Sequence, residues 1–536
     1  MKLIKNETMQ KLRGGFYTPD IIVDFILKWG MNENNKLDIL EPSCGDGIFL
    51  KKIRENNYKY NSITAIELDE NEARKASKIE LRNKFVINTD FHIFCNKTKK
   101  KYDLIIGNPP YIRYQYFNRS QQIEAEKIFQ HANLKYSKLT NSWVSFVVGS
   151  SILLKEIGKI GFVLPAEILQ VSYAKTLRNY LSYFFNKITI ISFEKLVFPY
   201  IQQEVILLLC EKNHIDSHLI EHLELENAEK LKELKLSKLK NITKKIDFQS
   251  NKWTFYFLDQ KEIDFLEEVA SNHRIPTIAD FADVQVGITT GSNEFFTVPS
   301  PIVKKYKLEK YAMPLAGRSV QVRGAIFTHN DWLQNSKKNI RSYFLIFPSV
   351  KELENYSDPL KYIQLGEQKG INKGYKCRIR NEWQIVPSIW ISDAFFIRRN
   401  HLYPKLIVNQ AQAYSTDTLH RVKIHSKTNI NEKAFVASFY NSLSFAYSEI
   451  SGRSYGGGVL EIMPSEVEKI LLPYSEKNAD LLYEIDLMLR KNIKINEILN
   501  YTNNIILQNN FGFTKKEICL TNNILKKLSR RRLNRK

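Results

Sequence analysis

The chain has 536 residues, too many for one ordinary core, so two or three domains are expected. Its formal net charge of +22 favours a polyanionic partner, nucleic acid before an anionic membrane. A hydrophobic share of 43% excludes a disordered chain, and five scattered cysteines with no Cys-x-x-Cys pair exclude a zinc knuckle or a disulfide framework and suit a reducing cytoplasm.

No signal segment opens the sequence, no apolar run is long enough to span a bilayer, and no metal site is expected. The folded part begins at Gly14-Gly15-Phe16-Tyr17-Thr18-Pro19. Thr18 is placed to cap a helix whose first turn holds Pro19 and Asp20 and whose apolar face carries Ile21, Ile22, Phe25, Ile26 and Trp29. Leu37 to Leu40 reads as a strand. It runs into Glu41-Pro42-Ser43-Cys44-Gly45-Asp46-Gly47, a glycine loop before a helix. Glu41 and Asp46 make that loop acidic, which suits a cationic or hydroxyl-rich ligand better than a triphosphate. A second strand, Ile63 to Ile66, ends in Glu67, where Rossmann-like folds place a carboxylate on ribose hydroxyls. A third, from Phe85, ends in Asp90-Phe91, an acceptor for an amino group beside a flat ring.

Leu104, Ile105 and Ile106 read as a buried parallel strand that stops at Gly107. Asn108-Pro109-Pro110-Tyr111 comes next, and the prolines hold Asn108 in a stiff turn just beyond the strand's carboxyl end, where open α/β sheets bind ligands. The Asn108 carboxamide oxygen and the loop carbonyls are acceptors with no donor expected to fill them. They suit an amino group, with Tyr111 as a face on which a base can stack. Gly161 to Pro165 and Glu204 to Leu209 read as later strands, with Phe198 before the second of these.

Residues 211–250 are rich in Lys and Glu and read as a charged, helical or mobile linker. Beyond it, Gly287 to Asn293, Leu315 to Arg318 and Ser451 to Gly458 are glycine-rich loops carrying hydroxyls, amides and Arg, groups that bind DNA phosphates and base edges. From about Ser475 the apolar spacing turns helical, and the chain closes on a basic tail from Lys526.

The order Gly-Phe-Tyr-Thr-Pro, Glu-Pro-Ser-Cys-Gly-Asp-Gly, Ile-Glu-Leu-Asp, Asp-Phe and Asn-Pro-Pro-Tyr, over roughly residues 13 to 210, resembles the amino-methylating DNA methyltransferases of the gamma arrangement. The TaqI-like adenine methyltransferases of restriction–modification systems are the nearest type. The resemblance implies S-adenosylmethionine as cofactor and double-stranded DNA as substrate. It implies a Rossmann-like catalytic domain with a mostly parallel seven-stranded sheet over 1–210, the linker over 211–250, an α+β or β-rich target-recognition domain over 251–475, and C-terminal helices with the basic tail over 476–536.

Residue by residue, the resemblance implies that Thr18 meets the methionine end of the cofactor and that Glu41, Ser43, Cys44, Gly45 and Gly47 line its loop. Glu67 takes its ribose, Asp90 and Phe91 its adenine, and Pro110 flanks it. Asn108 and the Pro109 carbonyl hold the target amino group, and Tyr111 and Phe198 stack on the flipped base. Arg318, Arg453, Ser454 and Tyr455 are the expected DNA contacts. A monomer is expected, with any cognate restriction endonuclease acting as a separate protein. Cytosine N4, RNA or protein glutamine as substrate, and a DNA-binding protein without catalysis, stay open as alternatives.

Overall fold

The computed structural model describes residues 18–31, 36–198, 204–215, 217–234, 243–246, 252–353, 355–455 and 457–534. Residues 14–17 of the first motif, Pro199, Gly456 and much of the second half of the expected linker lie outside them. The chain divides into two compact units, Met1–Ile263 with Asn534–Lys536, and Asp264–Leu533.

The first unit is built on one mixed sheet. Its strands are β1 (Asp38–Glu41), β2 (Ser62–Glu67), β3 (Lys84–Asn88), β4 (Tyr102–Gly107), β5 (Leu154–Pro165), β6 (Lys187–Phe193), β7 (Val205–Lys212), β8 (Leu219–Leu225) and β9 (Thr243–Lys245), in the order β3-β2-β1-β4-β5-β7-β6-β8-β9. The pairs β3–β2, β2–β1, β1–β4, β4–β5 and β6–β8 are parallel. Strand β7 runs antiparallel to both β5 and β6, and β9 antiparallel to β8.

The helices that cover this sheet are α1 (Asp20–Gly30), α2 (Ile48–Glu55), α3 (Glu70–Ser77), α4 (Phe91–Lys97), α5 (Arg119–His131), α6 (Ser142–Leu153) and α7 (Lys175–Phe184). Ile39, Leu40, Ile63, Ala65, Leu104 and Ile106 are all buried, as apolar runs covered on both faces must be. Strand β3 is an edge, and its Phe85 is 56% exposed.

Among the described residues nine strands therefore stand where seven were expected, and the described part of the expected linker contributes two of them. Strand β8 escaped notice because it carries Glu221 in its middle. That carboxylate is buried, yet it accepts from the Thr189 and Thr243 hydroxyls, each at 2.9 Å, and pairs with Lys187 at 3.1 Å. A charged residue whose lone pairs are met inside the sheet reads, from sequence, like one facing water.

The second unit holds two four-stranded sheets and one of three strands, with helices around them. Helices Leu481–Arg490, Ile495–Asn503 and Lys515–Leu533 occur where the C-terminal spacing predicts them, and they belong to this same unit. The basic tail is largely the end of the last helix. Its Arg532 is 1% exposed, pairs bidentately with the buried Glu449 at 2.7 and 2.9 Å, and donates to the carbonyls of His401 and Gly458. Removing one member of a buried ion pair strands the other. Glu449→Ala is thus expected to cost the second unit about 3–5 kcal/mol, read by urea unfolding; a loss below about 1 kcal/mol would show that the pair does not hold the tail.

Candidate active site

The candidate residues of the first unit gather at the carboxyl ends of β1, β2, β3 and β4, where the strand order reverses between β1 and β4. This is the crevice in which open α/β sheets place ligands. Strand β4 ends at Gly107, whose φ of +152° few side chains tolerate, and the chain turns out of the sheet there. The next residues are pinned one carbonyl at a time. Asn108 O accepts from the Ser43 hydroxyl at 3.2 Å, and Pro110 O accepts from the Ser142 hydroxyl at 2.6 Å. Among the described residues the intervening Pro109 carbonyl takes no hydrogen bond. The Ser142 hydroxyl also accepts from Ile112 N at 3.0 Å, and Asn141 Oδ1 accepts from Tyr114 N at 3.1 Å, so the start of α6 locks the far side of the loop.

The Asn108 carboxamide is oriented at both ends. Its Nδ2 donates to the buried Thr18 hydroxyl at 3.2 Å, and its Oδ1 accepts from the Tyr111 hydroxyl at 2.7 Å. The Tyr111 hydroxyl also lies 3.1 Å from Val163 O, and burial pushes its pKa well up, so it stays a donor. Two expectations change here. Thr18 does not cap α1: Pro19 holds the cap position with extended backbone, and the Thr18 hydroxyl serves Asn108 instead. Nor is Asn108 Oδ1 without a donor, because Tyr111 turns inward onto it, its half-buried ring packed on the apolar core.

The β1 loop forms an acidic cradle. Gly45 N and Asp69 N each donate to the Glu67 carboxylate at 2.8 Å, which fixes both of its oxygens. Glu41 is 2% exposed, and among the described residues its Oε2 has no hydrogen-bond partner. Burial, then Glu67 and Asp46, hold the Glu41 carboxyl well above its ordinary range. An unmatched buried acid beside two more acids is a site for a cationic or donor-rich group. Gly45 lies at φ +54° with nothing within 4 Å of where a Cβ would stand, so the loop is open on that side. Gly47 is closed in: a Cβ there would sit 2.7 Å from Ile79. Cys44 is buried, and burial raises its thiol beyond reach of ionisation, so it is no nucleophile.

Asp90 lies just beyond β3 and caps α4. Its Oδ1 accepts from His92 N at 2.7 Å and lies 2.8 Å from His92 Nδ1, while His92 Nε2 meets the Ser145 hydroxyl at 2.7 Å. Burial raises the Asp90 pKa, but the His92 contacts outweigh it and leave the carboxyl at about 2. Oδ2 accepts from the Gln121 amide at 2.7 Å, an sp² NH₂ group of the same kind as an adenine amino group. His92, Gln121, Asn141 and Ser142 were missed from sequence. Only the Asn-Ser pair before an apolar helix, a capping signal, pointed to any of them.

Two expected ring partners are core residues here. Phe91 is 2% exposed and stacks on Phe146, with ring centroids 4.7 Å apart. Phe198 is 7% exposed, within the same apolar cluster that carries the Tyr111 ring.

In the second unit, two of the three glycine-rich loops converge. A Cβ at Gly287 would stand 1.9 Å from Thr416 O, so only glycine fits there. Gly317 O accepts from the Thr416 and Thr418 hydroxyls at 3.1 and 2.7 Å, and Gln321 Oε1 accepts from Gly317 N and Arg318 N at 2.6 and 2.7 Å. This fixes the loop backbone and leaves Arg318 exposed. In the third loop, Arg453–Tyr455 is a strand that pairs antiparallel with Val459–Glu461. Arg453 pairs there with the buried Glu466 at 3.0 Å, which makes it a structural residue as well as an expected DNA contact, while Ser454 is half-buried and Tyr455 is 37% exposed.

A family model described as the Eco57I restriction-modification methylase matches residues 23–198, and one described as the C-terminal domain of Type II methyltransferase M.Eco57I matches residues 250–507. The chain is thus similar in sequence to Type II restriction–modification methyltransferases. Type II methyltransferase M.AccI of Acinetobacter calcoaceticus is 26% identical over 532 residues, 92% of each chain. Type II methyltransferase M.HincII of Haemophilus influenzae is 31% identical over 168 residues, 31% of each chain. Among solved structures, the Type IIL restriction-modification enzyme MmeI in complex with DNA aligns with a TM-score of 0.54 over 98% of this chain and 77% of that one, at 12% identity, a likeness of fold. The first family match contains Glu41, Glu67, Asp90 and Asn108, and the second contains the three glycine-rich loops.

The strained Glu41 gives a pH signature. A carboxyl whose pKa is raised on folding binds its proton more tightly in the folded state, so wild-type stability falls as pH rises from the ordinary value of 4.5 through the raised one. Glu41→Gln is expected to match the wild type in melting temperature below pH 4.5 and to exceed it increasingly above. A difference that stays flat with pH would mean that Glu41 is not held protonated.

Proposed function

We propose that the protein is a site-specific DNA methyltransferase that transfers the methyl group of S-adenosylmethionine to adenine N6. The observation that carries this reading is the Pro109 carbonyl, left open between two occupied carbonyls and beside the oriented Asn108 carboxamide. An exocyclic amine has two hydrogens to give, and Pro109 O and Asn108 Oδ1 are two acceptors. Oδ1 has two lone pairs, so it can accept from the amine while Tyr111 keeps the other. Binding both hydrogens draws the amine's lone pair out of conjugation with the ring. The chain then needs only to position the amine; no base is required first, because the methylated ammonium is itself a strong acid.

The acidic cradle fits the cofactor. Glu41 and Asp46 suit its cationic methionine end, Glu67 accepts from ribose hydroxyls, and Asp90 accepts the adenine amino group in place of the Gln121 amide. When bound, S-adenosylmethionine supplies an electrophilic sulfonium methyl. A base inside a duplex is out of reach, so the target is flipped, and Tyr111 and Phe198 stack on it. That role requires Phe198 to leave the apolar cluster on DNA binding. Exposed loops of the second unit, Arg318 first, read the sequence. The same acceptors fit cytosine N4, and TaqI-like resemblance is what favours adenine. Protection of host DNA from a separate restriction endonuclease is the role that the Type II homologues support.

Expression in a methylation-free bacterial host, with base-modification sequencing of the genome, tests the reading. N6-methyladenine is expected at one short motif, and Asn108→Ala is expected to lower the rate by about 100-fold or more. Soluble, cofactor-binding protein that leaves the DNA unmodified would refute it, and N4-methylcytosine would correct the target.

A further inference from the structure

We infer that Lys369–Arg380 is a DNA-contacting element of the second unit, one that the motifs did not reveal; this inference rests on the DNA methyltransferase reading. The segment Lys369-Gly370-Ile371-Asn372-Lys373-Gly374-Tyr375-Lys376-Cys377-Arg378-Ile379-Arg380 holds five cations and no acid. One of the five is an anchor. Arg380 donates to Trp383 O at 3.0 Å and to Thr290 O at 2.7 Å, which ties the segment to the Gly287–Asn293 loop. Cys377 is 1% exposed and packs against the same loop, where a Cβ on Gly291 would come within 2.9 Å of its sulfur.

The other four cations, Lys369, Lys373, Lys376 and Arg378, are exposed, and among the described residues none makes an ion pair. The neighbouring acids are engaged elsewhere: Glu367 accepts from the Trp383 indole at 3.0 Å and Glu382 from Val350 N at 2.8 Å. Between the cations stand two large apolar side chains that the fold does not bury, Tyr375 at 66% and Ile379 at 59% exposure. They sit one turn apart, at either end of the short helix Tyr375–Arg378, and so share one side of it.

Unpaired cations around exposed apolar groups, fastened by a buried cysteine and an arginine to a glycine-rich loop, match a duplex in both of its parts. The cations meet phosphates, and the Tyr375–Ile379 pair meets sugar or base edges. Two exposed side chains make too small an apolar face to embed in a membrane.

Full-length protein and fluorescein-labelled duplex DNA, titrated at several salt concentrations, test this. The triple variant Lys373→Ala/Lys376→Ala/Arg378→Ala is expected to weaken binding to every duplex by roughly tenfold or more and to flatten the slope of log K against log salt by about two to three. Lys373→Gln alone is expected to flatten it by about one, which guards against a fold defect in the triple variant. Tyr375→Ala/Ile379→Ala is expected to weaken binding with the slope unchanged. If the wild type binds DNA and the triple variant binds with the same affinity and slope, the element is not a DNA contact and its exposed face serves a protein partner. If the wild type binds no DNA, both this inference and the reading beneath it fail.

Discussion

Everything in the first unit's crevice depends on how β4 ends. Gly107 breaks the strand at a backbone angle that few side chains adopt, and two prolines forbid the chain from pairing again. The Asn108–Tyr111 turn is then held from three directions: Ser43 from the β1 loop, Thr18 from before α1, and Ser142 from the start of α6. The result is a carboxamide and a carbonyl fixed in place before any substrate arrives. Such fixed dipoles lower a barrier because nothing has to reorganise during the reaction. Tyr111 adds a condition. Its hydroxyl keeps Asn108 oriented in the free protein, so the residue expected to stack on a base is also the one that prepares the acceptor.

The charge distribution separates two kinds of recognition. A protein of net charge +22 gathers Glu41, Asp46 and Glu67 into a single loop region of the first unit, at the cost of holding Glu41 protonated well above the usual range. That local acidity is opposite in sign to what a polyanion needs and right for a small cationic ligand. The second unit instead exposes Arg318 and the Lys369–Arg380 segment on well-anchored loops. In the proposed function, small-molecule chemistry and polymer binding would be carried by opposite charge.

How legible this was in the sequence varied with the physics. Strands β1, β2 and β4 were plain, because parallel strands buried on both faces must be continuous apolar runs. Strand β8 was not, because Glu221 is satisfied by hydroxyls from two neighbouring strands that no local pattern reveals. Asn108, Glu67 and Asp90, singled out from sequence, lie at the ends of strands β4, β2 and β3 of one sheet or just beyond them. Gln121 and Ser142, which partner Asp90 and the Pro110 carbonyl, were not singled out, since those bonds join residues 31 and 32 positions apart, and the local bonds of Tyr111 and His92 depend on which way each side chain turns, which spacing does not encode. Aromatic letters were the weakest guide: Phe91 and Phe198 lie in the core of this structure, while the exposed Tyr375 drew no notice.

We propose the β1, β2 and β3 ends as a preorganised acidic site for a cationic nucleoside cofactor. Calorimetric titration of S-adenosylmethionine into the wild type and into Glu67→Gln tests it most directly. The wild type should bind one equivalent, and Glu67→Gln, shown to be folded, should bind at least about tenfold more weakly, the equivalent of about 1.4 kcal/mol. Equal affinity in the two proteins, or no binding by the wild type, would mean that these strand ends are not the cofactor site.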